Sequence, residues 1–216
     1  MRTPRSVVST SRRRPRRRVT YHTAKKRDTH ERILRSGSHI ARREGLRAAS
    51  VPRVMSGAGL TTGGFYAHFH SKTAMDVEIV RTMLSPLHGL ADLQDSVGLE
   101  WLQRAVKRYL SVAHRDNLDG CGYPAVLSEI ASAPSEVRRA FAEALEMRVA
   151  AFQPHVPAGV TARERALATM ALTIGGLLLA RAAQGNPISE ELLWACRSWA
   201  LPEARVDNRN QPRSSS

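Results

Sequence analysis

The sequence contains few of the residues that build disulfide frameworks or metal centres. Its 216 residues include only two cysteines, Cys121 and Cys196, far apart in the chain. Such usage is typical of a reducing compartment, so a cytoplasmic protein is expected. Cys121 lies in a Gly-Cys-Gly loop and is either an inert thiol or, if exposed and activated, an oxidant sensor. The histidines His22, His30 and His39 form no group with cysteine or carboxylate at metal-ligand spacing. The side chains of His68 and His70, two residues apart, would splay on a helix, so no metal or other cofactor is expected.

Signals of catalysis and of a membrane span are also scarce. Acidic residues are scattered, no Ser/His/Asp or Cys/His set stands out, and the glycine pairs follow no strand, so no enzymatic activity is expected. The stretch from Ala166 to Ala180 is uncharged. Its length falls short of the roughly twenty residues needed to cross a bilayer, and arginines bracket it, so no membrane partner is expected.

Negative charge is absent from the first 27 residues, which hold eleven Lys or Arg. They account for most of the formal net charge of +14, and the rest of the chain carries only +3. This segment, 1–27, has little to bury and is predicted to be a disordered basic tail. It is either an arm that contacts DNA or a passive extension, including one created by a start codon assigned too far upstream. A targeting peptide is less favoured because no apolar segment follows the charges.

The stretch from Ser50 to Lys72 contains two short helical patterns joined by a glycine turn. Ser50 is a good N-cap, with Pro52 in the first turn, where its missing N–H has no cost. Gly59 can adopt the positive φ of a sharp turn. The second helix is predicted to start near Thr61, and Ser71 is predicted to cap a third.

The second of these helices is predicted to lie against a flat polar surface. Phe65 and Phe69 are four residues apart and are expected to point inward, which leaves Tyr66 and His68 facing out. Two adjacent glycines, beginning at Gly63, each cost roughly 1 kcal/mol relative to alanine in a helix. Their presence favours close backbone approach to another molecule, and the DNA major groove is the natural candidate.

The run G-L-T-T-G-G-F-Y-A-H-F-H-S-K, preceded by a helix predicted at Thr29–Glu44, resembles the DNA-binding domain of the TetR/AcrR family of transcriptional regulators. The similarity covers about Asp28 to Val80. It implies contacts with base edges from three residues: Thr61, Thr62 and Gly63. It implies contacts with the sugar-phosphate backbone from four others: Ser50, Tyr66, His68 and Lys72.

The remaining chain also shows helical spacing of apolar residues, so an all-α fold is predicted. A three-helix helix-turn-helix domain at 28–72 is expected to precede a helical ligand-binding and dimerisation domain at 73–202 and a disordered tail at 203–216. Large side chains at helical spacing are either plain core or the lining of an effector pocket. The candidates for such a pocket are Met83, Trp101, Tyr109, Tyr123, Phe141, Met147 and Phe152.

The helix around Ala166–Ala180 is apolar on every side, which predicts burial in a subunit interface as well as in the core. Two C-terminal helices pairing with their twofold copies would form a four-helix interface, as the resemblance also implies. The candidate interface residues are Met170, Ile174, Leu177, Leu178, Leu192, Cys196 and Trp199.

A homodimer presents two recognition helices to two half-sites, so the expected partner is double-stranded DNA with an inverted-repeat operator. The predicted function is a sequence-specific transcriptional regulator, favoured as a repressor, that an unknown small-molecule effector releases from the operator by differential affinity for two conformations. The alternative is a sequence-nonspecific nucleic-acid-binding protein driven by the arginine-rich tail.

Overall fold

The structure is a computed structural model that describes residues 16–85, 93, 95–117, 119–156 and 162–201, with side chains described from Thr23 onward. The regular elements of this part of the chain are helical, as predicted. The α-helices are α1 (Arg16–Glu44), α2 (Val51–Gly57), α3 (Lys72–Met83), α4 (Gly98–Tyr109), α5 (Val112–Asp116), α6 (Tyr123–Ala131), α7 (Ser135–Phe152), α8 (Ala162–Ala182) and α9 (Ile188–Ala200). Two short 3₁₀ segments span Thr62–Ala67 and Gln153–His155.

The N-terminal part of the fold is a three-helix unit in which α1 packs against α2 and α3. Its centre is formed by apolar side chains that are fully buried, such as Ile33, Val54 and Ile79. A Cβ added at Gly37 would overlap Cδ1 of Ile79. The glycine therefore allows α1 and α3 to approach closely, and the arrangement is the predicted helix-turn-helix.

Helix α1 begins at Arg16, twelve residues before the predicted start at Asp28. Part of the segment predicted as a disordered tail is therefore helical, while residues 1–15 lie outside the described residues. Lys and Arg are good helix formers, and Arg27 lies 3.7 Å from Glu31 one turn later. The run of like charges predicted disorder, but the same Lys and Arg residues have a high helix propensity, and the structure shows a helix.

The body is a helical bundle in which α8 packs mainly against α9 and also against α7. A Cβ at Gly176 would lie 2.7 Å from Sγ of Cys196, so this glycine brings α8 and α9 together within one chain. Helix α8 has 21 residues and is long and apolar enough to cross a membrane by length and composition alone, a property that core helices of soluble proteins share. The expectation that it is too short was wrong, and eight of its residues are buried in the bundle.

The helix-turn-helix unit is joined to the body by polar contacts from the end of α1 and the loop that follows it. The backbone N–H of Arg47 donates to Oε2 of Glu129 at 2.7 Å. In a second contact, Arg43 Nη1 lies 3.1 Å from Oδ2 of Asp119. Helix α3 packs along α7. The N-terminal unit therefore contacts the body through the end of α1, the loop after it, and α3.

Candidate functional site

The turn between α2 and the 3₁₀ segment has the predicted geometry. Gly59 adopts φ of +69°, a conformation that side chains resist. The guanidinium of Arg32 donates to the carbonyl oxygen of Ala58 and holds the turn against α1. Ser50 is at the N-cap position of α2 and is half-buried, but its hydroxyl makes no capping hydrogen bond. The helix start is thus where the sequence predicts it, without the predicted cap.

The candidate recognition segment, Thr62–Ala67, is a 3₁₀ helix that follows Thr61. Two glycines lower its helix propensity, and short 3₁₀ pieces are common in such places. The side chains of Phe65 and Phe69 are each 2% exposed, and their rings stack with centroids 5.6 Å apart. The prediction that these two rings point inward is confirmed, and they fix the segment on the core of the unit.

The opposite face of the segment is open. Thr61, Thr62 and Gly63 are exposed, and the side chain of Tyr66 is 78% exposed. A Cβ added at Gly63 would meet no atom within 4 Å. The packing of the described residues therefore gives no reason for a glycine at this position.

His68 was expected to face out, and the structure corrects this in part. The residue is half-buried, and its Nδ1 atom is enclosed without a hydrogen-bond partner among the described residues. Burial lowers the pKa of His68, and the charges of His30 and Lys26 lower it further. The ring therefore favours the neutral state at pH 7, so a contact with phosphate would be a hydrogen bond rather than an ion pair.

The half-buried His68 belongs to a small cluster at the base of the segment. The ring of His30 lies 5.8 Å from that of His68 and stacks on Phe69 at 4.7 Å. Nε2–H of His30 donates to Oε2 of Glu78 on α3 at 2.7 Å. These contacts connect α1, the recognition segment and α3, and the sequence offers no spacing from which they could be found.

Lys72 lies at the start of α3 beside the recognition segment. Its ammonium is half-buried and forms an ion pair with Asp76 one turn later, at 2.5 Å. Burial raises the pKa of Asp76 despite the opposing effect of Lys72. The hydroxyl of Ser71 accepts a hydrogen bond from the N–H of Ala74 at 3.0 Å, so the predicted cap is confirmed.

The structure adds basic residues that sequence reasoning did not single out. Lys25, Lys26 and Arg27 are exposed on the N-terminal half of α1. Lys26 is close enough to affect the pKa of His68, so this basic turn lies near the recognition segment. The sequence shows these residues as part of a basic run. It does not show that they lie near the recognition segment, because that follows from the N-terminal extension of α1.

A cavity of about 270 Å³ lies in the body beside the end of α3. Three of the predicted pocket residues line it: Met83, Tyr109 and Tyr123. Lining residues that the prediction missed include Cys121, His114 and Arg148. Cys121 is buried, and its sulfur lies 2.8 Å from the hydroxyl oxygen of Tyr109, so the exposure that the sensor interpretation required is absent.

The other four predicted pocket residues lie outside the cavity lining. Trp101 and Phe152 pack edge to face with ring centroids 5.0 Å apart, and Phe141 packs against the ring of Tyr123 at 6.0 Å. Met147 is 55% exposed on the outer surface of α7. Helical spacing identifies an apolar stripe but does not distinguish packed core from cavity wall, and the neighbouring Arg148, rather than Met147, faces inward.

An apolar face on α8 and α9 is exposed to solvent. Of the predicted interface residues, Met170, Ile174 and Leu177 are buried within the single chain, and this corrects their assignment to a subunit contact. Leu192 and Cys196 are half-buried, while Leu178 and Trp199 are exposed. Four further large side chains on these helices are exposed: Leu167, Leu179, Ile188 and Trp194.

Metal binding was not expected from the sequence. Among the residues that the structure describes, no group of three or more His, Cys, Asp or Glu is placed to hold a metal ion.

Residues 33–79 match the family of bacterial regulatory proteins known as the tetR family. No curated protein sequence matches the chain. The fold is similar to that of E. coli NemR in its reduced form, with 18% identity, a TM-score of 0.67 and coverage of 78% of this chain and 95% of that one. It is also similar to a TetR transcriptional regulator from Legionella pneumophila, with 21% identity, a TM-score of 0.64 and coverage of 79% and 94%.

A third similar structure is a transcriptional regulator from Rhodococcus sp. Rha1, with 21% identity, a TM-score of 0.62 and coverage of 82% of this chain and 96% of that one. At such identities these structures establish the shared fold, and the match at residues 33–79 identifies the DNA-binding domain. With its helix-turn-helix at the matched residues, the N-terminal unit is similar to the DNA-binding domain of the tetR family of bacterial regulatory proteins, and the all-α body shares the fold of these three structures.

Proposed function

We propose that the chain is a homodimeric repressor that binds an inverted-repeat operator and leaves it when a small molecule occupies the body. The observation that carries the proposal is the open face of Thr62–Ala67 above two buried phenylalanines. Threonine hydroxyls and methyl groups can meet base edges, and an unobstructed glycine lets the backbone approach them. Thr61, Thr62 and Gly63 are the proposed base-reading residues.

The backbone contacts proposed for Ser50, Tyr66, His68 and Lys72 surround these base readers. Tyr66 is well exposed and can donate its hydroxyl to a phosphate oxygen. Lys72 can offer its ammonium once it turns from Asp76, and the exposed basic turn of α1 adds positive charge nearby. Phosphate contacts of this kind fix the register of the protein on DNA and do not themselves read sequence.

The exposed apolar face of α8 and α9 supports the dimeric part of the proposal. Trp194 and Trp199 are 58% and 63% exposed, and Leu179 is 55% exposed. A concentration of large exposed apolar side chains on two paired helices is what an interaction site in a soluble protein would present. A Cβ at Gly175 on α8 would meet nothing within 4 Å, so a second copy could pack closely there.

Coupling between the cavity and the DNA-binding unit would run through two contacts. A Cβ at Gly122 in the cavity wall would lie 2.5 Å from Cγ of Met83, so the glycine lets the wall pack closely against the end of α3. Asp119, one residue before Gly120 of the cavity wall, pairs with His39 and Arg43 of α1 at 3.2 and 3.1 Å. A ligand that displaced this wall would shift both helices, and it would release DNA only by binding the two conformations unequally.

The proposal also includes the boundaries 28–72 for the DNA-binding unit and 73–202 for the body, and a cytoplasmic location. Selection of bound fragments from random-sequence DNA by the purified full-length chain tests it. The expected result is an inverted repeat whose half-sites are about one helical turn, or a multiple of it, apart. Equal affinity for selected and scrambled DNA over a salt titration would instead favour the alternative of nonspecific binding through the basic tail.

A further inference from the structure

His30 lies at the boundary between solvent and core on one side of α1. Lys26, four residues earlier, and Ile33, three residues later, share this side of the helix. Lys26 is exposed and Ile33 is fully buried. An imidazole suits the position between them because it has an apolar body and polar nitrogens.

A continuous row of aromatic rings begins at His30 and passes along the recognition segment. The ring of His30 stacks on that of Phe69, with centroids 4.7 Å apart and planes 26° apart. Phe69 stacks in turn on Phe65 at 5.6 Å, and Phe65 meets Tyr66 edge to face at 5.2 Å. The row therefore links α1 to the exposed Tyr66, one of the proposed phosphate contacts.

A hydrogen bond to α3 fixes His30 in this row. Its Nε2–H donates to Oε2 of Glu78 at 2.7 Å, and the two side chains are 26% and 40% exposed. A contact so open to water contributes little to the free energy of unfolding. A hydrogen bond of this length is nevertheless directional, so it sets the plane of the imidazole. The bond to Glu78 therefore affects orientation more than stability.

His68 is the second histidine in this cluster, with its ring centroid 5.8 Å from that of His30. Its Nδ1 is enclosed without a hydrogen-bond partner among the described residues, so Nε2 is the ring nitrogen left to meet a phosphate oxygen. A neutral imidazole has a single N–H. Contact with DNA then depends on the direction of the His68 ring, which the neighbouring His30 restricts.

We propose that His30 is a positioning residue for DNA recognition. Held by Glu78 and stacked on Phe69, it fixes the pose of the recognition segment and the direction of His68. The inference rests on the proposed function, because it assigns a role within the same DNA-binding face. It adds a residue of α1 that acts through its neighbours rather than by reading bases.

A double-mutant cycle on DNA affinity tests the proposal, with fluorescence anisotropy of the full-length chain on selected and scrambled DNA. His30→Phe keeps a ring against Phe69 and removes the hydrogen bond to Glu78, and Glu78→Ala removes the same bond from its other end. Each should weaken operator binding about three- to tenfold and lower the ratio of operator to scrambled affinity. The double variant should bind no more weakly than either single variant, because both changes delete one contact. Glu78→Gln keeps an acceptor and should retain most of the affinity.

His155→Phe is the matched control. His155 also stacks on an aromatic ring, that of Trp101 at 4.1 Å, but it lies in the body, where its Nδ1 accepts from the N–H of Gly98. Operator affinity should be unchanged by this substitution. Urea denaturation of every variant separates binding from folding, and the free energy of unfolding of His30→Phe should change little.

Full operator affinity in a folded His30→Phe protein would overturn the proposal, as would losses that add in the double variant. Equal losses on operator and scrambled DNA would also overturn it, because the base-reading segment would then keep its pose. If the unsubstituted chain showed no preference for selected DNA, the proposed function would fail and this inference with it. A clear preference that His30→Phe leaves intact would refute the inference alone.

Discussion

The rings of Phe65 and Phe69 stack with their centroids 5.6 Å apart, and together they anchor the candidate recognition segment from beneath. Tyr66, between them in sequence, is 78% exposed on the opposite side. The segment therefore has one face bound to the protein core and one face with no such partner. Its length of six residues gives little helical stability of its own, so its shape depends on these two anchors.

Two glycines near this segment should respond differently to alanine. Gly59→Ala forces a side chain into positive φ and should lower the free energy of unfolding by about 1–2 kcal/mol. Gly63→Ala adds a Cβ into open space, so the free energy of unfolding should stay unchanged or rise slightly. Operator binding by this variant should nevertheless be weaker. Urea denaturation and fluorescence anisotropy on selected DNA measure the two effects. Undiminished binding by Gly63→Ala would contradict close approach of the backbone to DNA.

Lys72→Ala should weaken binding to operator and scrambled DNA by a similar factor. The ammonium would contact phosphate, so its loss removes affinity without sequence information and reduces the salt dependence by roughly one counterion. Arg104→Ala is the matched control, since Arg104 is an exposed cation on α4 of the body. A larger loss on the operator alone would mean that Lys72 reads sequence.

Arginine substituted into the exposed apolar face should separate the two chains. Leu179→Arg and Trp194→Arg place charge where the proposed interface excludes water, so sedimentation velocity should show a shift from dimer to monomer, together with weaker operator binding. Met147→Arg makes the same change on α7 at a side chain that is 55% exposed and should leave the dimer intact. A dimer that survives both substitutions on α8 and α9 would exclude this face as the interface.

Stability should fall as the pH decreases below about 6.5, the ordinary pKa of histidine. Burial lowers the pKa of His114 in the folded state, and the pKa values of His68 and His155 are lowered for the same reason. The unfolded chain then binds more protons than the folded one between the folded pKa and 6.5, so protonation favours unfolding in that window.

Urea denaturation at about pH 7.5 and about pH 5.5 measures this effect, in a range above the ordinary pKa values of carboxylates. His114→Gln should reduce the difference between the two conditions, while substitution of the exposed His70 by Gln should not. Equal or greater stability of the unsubstituted chain at the lower pH would contradict the assignment of buried, neutral histidines.

The elements that the sequence predicted well are those governed by local chemistry. The turn at Gly59, the cap at Ser71 and the inward Phe65 and Phe69 each follow from backbone or spacing rules that act within a few residues. The start of α1 was predicted too late in the chain. In this segment the run of like charges indicates disorder, whereas the helix propensity of Lys and Arg indicates a helix.

The parts that could not be predicted depend on contacts between distant elements. Arg148 faces a cavity beside Cys121, while Met147 next to it faces solvent, and helical spacing alone does not select between them. In the same way, Met170 and Leu177 were assigned to an interface but are covered within the chain, whereas Leu179 and Trp194 are exposed. A helix that is apolar on every side is expected to be buried. Its sequence does not show which side packs against its own chain and which side is left for a partner.

The most direct test of the central claim is the effect of Thr62→Ala on sequence preference, measured as the ratio of operator to scrambled-DNA affinities at one fixed salt concentration. A lost base contact should cost about 1–3 kcal/mol on the operator and leave binding to scrambled DNA unchanged, so the ratio should fall. If Thr62→Ala weakened both complexes equally, or neither, the claim that this segment reads the DNA groove would be contradicted.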